Sequence, residues 1–347
     1  MPRDTPLQRE LAVLEEIIQY YLEHHEAISA RTLAKISRLA LSPTTIRNLM
    51  EDLSAEGFLT SEGVPRGRVP TQKAFGIYVT RLNPGTSAPA QSDAFQPQQS
   101  LPLNAALSRI GSDLARLTGC VVLAAFPAAE EYLLDWVHFG TVPGNRVLVA
   151  VQTLLGDLWT RILDTARPFP DDLLRELVRF IDERYRGAPL LRVRQDIMSG
   201  EPKELLDRMP SLGAAFRMLR RAFEWDPPPQ RIWGQEHLIP MQMGLDARRL
   251  FLLQQALADP HLLRQGLGLG RGVAGARVAL GTETGYEGLV ECAMIGHAFG
   301  SGGWEGTLGV LGPMGMNYPR VLDGLMGASA VLSQEVAARH HAAAPAA

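Results

Sequence analysis

The sequence is poor in the features that mark secreted and membrane proteins. Its 347 residues include only two cysteines, Cys120 and Cys292, which favours a reducing compartment and argues against a disulfide framework. The first residues lack the apolar stretch of a signal peptide. The apolar runs, such as residues 120–129, are far shorter than the roughly 18 residues that a membrane-spanning helix needs. We therefore expect a cytoplasmic protein that does not contact a membrane.

Catalytic and metal-binding signatures are also missing. The eight histidines include no H-E-x-x-H motif, and the pairs His24–His25 and His340–His341 lack a further ligand at metal spacing. No nucleophile is paired with a base, and no G-K-[ST] phosphate loop occurs. The G-x-G-x-x-G stretch at residues 270–275 precedes its predicted strand, whereas a dinucleotide site follows one, so we interpret it as a loop. We expect no enzyme activity, no metal and no cofactor.

The composition divides the chain into a small N-terminal module and a larger body. Residues 83–100 are rich in Pro, Gln, Ser and Ala, which predicts a flexible linker after a module over residues 1–82. In the body, strand patterns at 101–153 and 234–340 flank a mostly helical segment at 154–233. The simplest architecture is an α+β domain that is formed by the two flanking parts and carries the helical segment as an insertion.

Three helices and a hairpin are predicted in the N-terminal module. Apolar residues at helical spacing predict the first helix over residues 7–24, and Ser29 is a suitable N-cap for a second. Ser42 caps a third helix, which Gly57 ends. Residues 58–70 hold two short strand-like runs around turn residues and basic side chains, which predicts a hairpin. This order is typical of a winged helix-turn-helix.

The outward face of the third helix has an unusual composition for a surface helix. Ile46, Met50 and Leu53 take the inward positions, so small and hydrogen-bonding side chains point outward in the first turns. Arginine can pair bidentately with guanine, asparagine with adenine, and threonine offers a hydroxyl or a methyl group. The residues predicted to contact base edges are Thr44, Thr45, Arg47 and Asn48.

Basic residues surround this helix although the whole chain carries a net charge of −3. Eight basic and four acidic residues lie between positions 31 and 81, which puts a positive excess where a phosphate backbone would pass. An ordinary amphipathic helix has the same periodicity, so the inference rests on the full order of helices and hairpin. The residues predicted to contact phosphates are Arg31, Lys35, Ser42, Arg66, Arg68 and Lys73.

At these residues the sequence resembles the HrcA family of heat-inducible transcription repressors. The stretch LSPTTIRNLMEDLSAEGFL is similar to the family's LSPATIRNEM.DLE..GYL, and RGRVPTQKAFGIYV to AGRIPTDKGYRFYV. In the body, RVALGTETG resembles V.IGEENG, and GTLGVLGPMGMNYPRV resembles GTIGVLGPTRMDYARV. Ala30, Leu49 and the wing sequence EGVPRGRVP depart from the family pattern.

The resemblance implies a winged helix, a GAF-like α+β domain and an inserted helical segment that supports dimerisation. It also implies repression of chaperone operons at an inverted-repeat operator, loss of activity on heat stress, and a GroEL-type chaperonin as modulating partner. A ligand-sensing winged-helix regulator with an effector pocket in the GAF-like domain is the alternative.

The apolar side chains of the middle segment predict where a homodimer would form. They lie on short helices that a GAF-like sheet has no obvious room to bury, and exposed apolar surface usually marks an interface. The other possibility is that they form a local core, as amphipathic helices commonly do. The residues predicted to dimerise are Trp159, Phe180, Phe216 and Phe223.

Overall fold

The computed structural model describes residues 6–61, 67–82, 95–97, 103–125, 132–154, 158–199, 218, 220, 221, 223, 230–238, 247–259, 261–268, 275–301 and 304–343. Arg66, Phe216 and the linker residues 83–94 and 98–100 lie outside these ranges. Within the predicted linker, Phe95 is buried, and the carbonyl of Gln96 accepts a hydrogen bond from Arg109 at 2.6 Å.

The N-terminal module has the predicted winged helix-turn-helix order, followed by a fourth helix. The two short strands pair antiparallel, and Ile28 forms an isolated bridge with Arg68 beside them. Buried Val13, Leu14 and Ile17 of the first helix belong to the same core as the inward residues of the third. The elements are α1 (Pro6–His24), α2 (Ala30–Ile36), α3 (Pro43–Ala55), β1 (Leu59–Thr60), β2 (Val69–Pro70) and α4 (Gln72–Leu82).

The body mixes helices with two separate antiparallel sheets, so the predicted α+β class is confirmed. One sheet has five strands and the other has three. The elements are α5 (Leu103–Thr118), β3 (Val121–Ala125), β4 (Leu134–Val142), β5 (Arg146–Thr153), β6 (Leu158–Asp164), α6 (Asp171–Tyr185), α7 (Leu190–Ser199), β7 (Gln230–Trp233), α8 (Ala247–Ala258), α9 (Leu262–Gly266), β8 (Arg277–Leu280), β9 (Cys292–Ser301), β10 (Trp304–Pro313) and α10 (Tyr318–Ala343).

The five-stranded sheet has the order β7-β3-β10-β9-β8 and is covered on both faces. Successive side chains of a strand point to opposite faces. Val122 and Val310 accordingly pack into the core shared with α5 and α10, while Leu123 and Leu311 pack with α8 and α9. Because both faces are buried, β3 is apolar throughout.

The three-stranded sheet differs from the predicted domain boundaries. β4 pairs with β5 and β5 with β6, and none of the three pairs with β3, although the prediction gave residues 101–153 to the GAF-like domain. β7 pairs with β3, although the predicted insertion extends to residue 233. Few residues of sequence separate β4 from β5 and β5 from β6, and sequential strands with short connections tend to pair. A strand pattern alone does not specify its partner.

Three of the four aromatic residues predicted to dimerise pack in or against the chain's own core. Trp159 lies on β6 with its ring centroid 6.2 Å from that of Tyr132, and Phe180 on α6 lies 6.3 Å from Tyr185. Phe223 is only 4% exposed. These side chains occupy the layer between the three-stranded sheet and its helices, so the local-core reading describes them better.

Both cysteines are buried, which generates a prediction about their reactivity. Burial raises the pKa of Cys120 to about 11 and that of Cys292 to about 12. Since the thiolate is the reactive form, we expect neither to react with maleimide at pH 8 in the folded protein. Mass spectrometry across a urea titration should show labelling only as the protein unfolds. Rapid labelling of either residue without urea would contradict the prediction.

Candidate nucleic-acid interface

The start of α3 is fixed by a side-chain cap. Ser42 Oγ accepts a hydrogen bond from the backbone N–H of Thr45 at 3.1 Å, and the two hydroxyl oxygens lie 2.8 Å apart. Pro43 occupies the first helical position, where no N–H partner is needed. The inward residues Ile46 and Met50 are buried. The helix therefore begins sharply, with its first turn held towards solvent.

The four predicted base-contacting residues are all exposed on the first two turns of α3. Thr44, Arg47 and Asn48 extend from the face opposite the buried residues. Thr45 shares the face, but its hydroxyl contacts the Ser42 cap, so its methyl group is what it can offer to a base. The structure thus brings together the side-chain types that distinguish guanine, adenine and thymine in a major groove.

The preceding helix repeats the same cap and carries two of the predicted phosphate contacts. Ser29 Oγ accepts from the N–H of Thr32 at 3.1 Å, and their hydroxyl oxygens lie 2.8 Å apart. Arg31 and Lys35 are exposed on this helix. Neither takes part in an ion pair with another side chain in the described part of the chain. Both charges are therefore available to an external anion.

The turn between α2 and α3 holds a basic residue that the predicted contact set omits. Glu16 on α1 accepts a hydrogen bond from the backbone N–H of Arg38 at 2.9 Å, while Ala40 takes a left-handed φ of 51°. These features fix the crossing of the two helices. The Arg38 side chain is exposed beside α3. Its position between the two predicted caps is the signal that could have identified it.

Two of the predicted phosphate contacts have structural partners instead. Arg68 is half-buried, and its Nε donates to Ser54 Oγ on α3 at 3.1 Å. Its backbone also exchanges two hydrogen bonds with Ile28, at 2.9 and 3.1 Å. Lys73 Nζ donates to the carbonyl of Glu56 at 2.7 Å and lies 4.0 Å from the centroid of the Phe58 ring. Both cations hold the wing and α4 to the end of α3.

The comparisons with known proteins agree with this geometry. The description "Winged helix-turn-helix transcription repressor, HrcA DNA-binding" matches residues 4–81, and "HrcA protein C terminal domain" matches residues 104–322. The chain belongs to the HrcA family. The resemblance found in the sequence motifs is thereby confirmed over most of the chain.

Individual relatives are similar over nearly their whole length. The heat-inducible transcription repressor HrcA of Methylobacillus flagellatus is 27% identical over 321 residues, which cover 91% of this chain and 94% of that protein. The corresponding repressor of Geobacter sulfurreducens is 28% identical over 329 residues, with 91% and 94% coverage. A crystal structure titled only as a hypothetical protein is 20% identical, with a TM-score of 0.67 over 95% of this chain and 98% of that chain. At that identity the likeness shows the fold alone.

The described residues of this HrcA-family chain do not support two other kinds of site. Among the described residues, no helix has the length and apolar content to cross a bilayer. In the same part of the chain, no three His, Cys, Asp or Glu side chains group closely enough to hold a metal ion. The exposed face of α2 and α3 is accordingly the site that the described residues support best.

Arg47 generates the sharpest prediction about this HrcA-type interface. Its side chain is exposed on the first turns of α3, so Arg47→Ala should leave the melting temperature unchanged. We expect operator binding to weaken by about 1–3 kcal/mol and discrimination at one base pair to relax. Fluorescence anisotropy with single-base operator variants would measure both. If Arg47→Ala and Asn48→Ala each retain parent affinity and preference, α3 is not the helix that contacts the bases.

Arg68→Ala is the matched control, because it makes the same change at an internally bonded residue. Loss of the bond to Ser54 should destabilise the module by about 1 kcal/mol, which thermal unfolding would detect. Binding should then weaken alike for all DNA sequences. An unchanged melting temperature with a flatter salt dependence would instead support the phosphate contact predicted from the sequence.

Proposed function

We propose that this protein represses heat-shock genes by binding an inverted-repeat operator as a homodimer in the cytoplasm. The observation that carries the proposal is the Ser42-capped helix α3, which presents Thr44, Arg47 and Asn48 from a winged helix in an HrcA-family chain. The relatives compared above bear the name of heat-inducible repressors. Together they support transfer of that role to this chain.

In the proposed complex, α3 lies in the major groove and α2 crosses the backbone. Helix-turn-helix proteins place the first turns of the second helix against base edges. That arrangement puts the exposed Arg31 and Lys35 beside phosphates, with Arg38 at the turn between the helices. The positive N-terminal end of α3 would add a favourable interaction with the DNA backbone.

A dimer is needed because one winged helix buries too little surface for operator-grade affinity and specificity. Two modules related by a two-fold axis require two half-sites in inverted order. The contact that joins the two chains must then lie in the body, outside the DNA-binding module. Among the described residues of the body, one sheet face carries large exposed apolar side chains that suit such a contact.

That surface is the side of the three-stranded sheet that faces away from α6, called here the outer sheet face. Leu158 and Ile162 on β6 are 54% and 53% exposed, although they are large apolar residues. Cross-strand pairs place Leu148 beside Ile162 and Gln152 beside Leu158. The outer sheet face consists of Trp136, His138, Gly140, Leu148, Ala150, Gln152, Leu158, Thr160 and Ile162.

Ile162→Glu tests the outer sheet face. Because Ile162 is half-exposed, a charged side chain there should not disturb the fold. In a dimer contact the same charge would lose its water, which would weaken the contact. We expect sedimentation equilibrium at micromolar concentration to change from dimer to monomer, while binding to one half-site is kept. Met198→Glu on α7 is the matched control, since Met198 is 49% exposed and lies elsewhere. An Ile162→Glu dimer as stable as the parent would exclude this surface.

The responses to heat and to a chaperonin rest on the family resemblance. The proposal is that heating lowers operator binding and that a GroEL-type chaperonin helps to restore it. A footprint upstream of a chaperonin operon, before and after heating, would test the first part. Adding purified chaperonin to the heated repressor would test the second. Equal protection at all temperatures, with or without chaperonin, would contradict both.

A second candidate is a ligand-sensing regulator, and one cavity favours it. A space of about 370 Å³ lies between α8 and residues 287–292, a size that suits a small molecule. Leu252, Leu253 and Cys292 line it, and the ion pair between Arg248 and Glu287 at 3.2 Å borders it. A thermal shift with small metabolites and none with chaperonin would favour this candidate over the first.

A further inference from the structure

The winged helix is seated directly on the C-terminal domain, in addition to its connection through residues 83–100. One hydrophobic core contains Val13 and Phe75 of the N-terminal module together with Val310 and Tyr318 of the body. Among the described residues, the polar side chain of Gln72 at the start of α4 forms hydrogen bonds across the boundary beside this core. The two contacts form a joint between the DNA-binding module and the five-stranded sheet.

The carboxamide of Gln72 binds a backbone segment at the end of β8. Its Nε2 donates to the carbonyl of Leu280 at 2.7 Å, and its Oε1 accepts from the N–H of Thr282 at 3.3 Å. These two groups flank Gly281, so the side chain bonds the segment as a neighbouring strand would. The Thr282 hydroxyl adds a contact at 3.2 Å.

Gly281 is required for this fit. It has a left-handed φ of 48°, and a Cβ there would collide with Gln72 Oε1 and lie 2.7 Å from the carbonyl oxygen of Val290. A side chain at this position would therefore strain the backbone and displace the carboxamide. The segment is shaped to receive Gln72 closely.

An aromatic cluster completes the joint. Tyr318 is fully buried at the start of α10, with its ring centroid 6.1 Å from both Phe75 and Tyr78 of α4. Its hydroxyl donates to the carbonyl of Met314 at 2.8 Å. At Gly315 a Cβ would lie 2.8 Å from Tyr21 of α1, so the absence of a side chain lets α1 approach.

The joint is connected to the DNA-binding face through rigid elements. Helix α4 packs on α1, and Arg81 of α4 pairs with Glu15 of α1 at 3.1 Å. Helix α1 in turn packs on α3 and fixes the preceding turn through Glu16. The direction of α3 relative to the five-stranded sheet thus depends on how α4 is seated.

We propose that Gln72 is a positioning residue for operator binding, which fixes the angle of α3 on the C-terminal domain and thereby the half-site spacing that the dimer accepts. This rests on the proposed function, since spacing has meaning only for two modules on two half-sites. A module on a flexible linker would accept many half-site spacings, and at each of them the effective concentration of the second module would be lower. A seated module accepts one spacing well.

Gln72→Glu tests the joint with a nearly isosteric change. It removes the donor to Leu280 and places a carboxylate against that carbonyl. Binding is measured to an isolated half-site and to inverted repeats whose spacing varies one base pair at a time. We expect half-site affinity to match the parent, affinity at the preferred spacing to fall about tenfold, and the spacing profile to flatten. Gln254→Glu, on the exposed side of α8, is the matched control.

A distance measurement tests the joint without DNA. Labels at Ala55→Cys on α3 and Asp323→Cys on α10 use two exposed positions, while Cys120 and Cys292 are buried, and excess unlabelled protein leaves labels on only one chain of a dimer. Pulsed electron resonance should give one narrow distance in the parent and a broad distribution after Gln72→Glu. Gly281→Ala disrupts the same contact from the body side and should also broaden the distance distribution. In combination the two changes should have less than additive effects.

The outcomes separate the two levels of proposal. A parent protein that binds no half-site would refute the proposed function and with it the spacing role. A parent with a spacing preference that Gln72→Glu leaves sharp, with the distance still narrow, would overturn the role of Gln72 while the repressor function stands. Weakened half-site binding with a narrow distance would also overturn it, because the effect would then be local to the module.

Discussion

The apolar core that continues from α1 to the five-stranded sheet is the constraint on which the rest of the structure depends. Helix α3 has 13 residues, and helices of that length are marginal in water without tertiary packing. Its outward face carries polar and charged side chains, so its stability comes from Ile46, Met50 and Leu53 against α1. Burial of Tyr318 against α4 then joins this small core to a larger one. The polar face of α3 can exist because the opposite side is anchored so extensively.

Basic residues that could contact DNA come first along the N-terminal module, and basic residues that hold the module together follow them. Arg31 and Arg47 extend into solvent, whereas Arg68 and Lys73 bond to Ser54 and to the end of α3. The difference is geometric, because a basic side chain that follows a helix C-terminus finds carbonyl acceptors nearby. A local excess of positive charge therefore indicates how many residues could contact phosphates, but it does not identify which of them do.

The winged helix could be predicted from the sequence because its signals are local. Serine caps at Ser29 and Ser42 define helix starts within a few residues. Pairing between strands is a long-range property, which is why the separate sheet of β4, β5 and β6 was not foreseen. The Gln72 contact shows the same limit: its partners lie 208 and 210 positions away.

Few contacts link the proposed dimer surface to the proposed DNA-binding surface. The outer sheet face lies in the body, and the exposed face of α3 lies in the N-terminal module. In the proposed dimer, two features set the distance between the two α3 helices. They are the way the two bodies contact each other and the way each α4 packs on its own body. Phosphate and base contacts together set the affinity of each module for its half-site. The gain from binding both half-sites depends on whether the joint already holds the two modules at the operator's spacing. Any reorientation of a module would cost free energy that its contacts with DNA must offset.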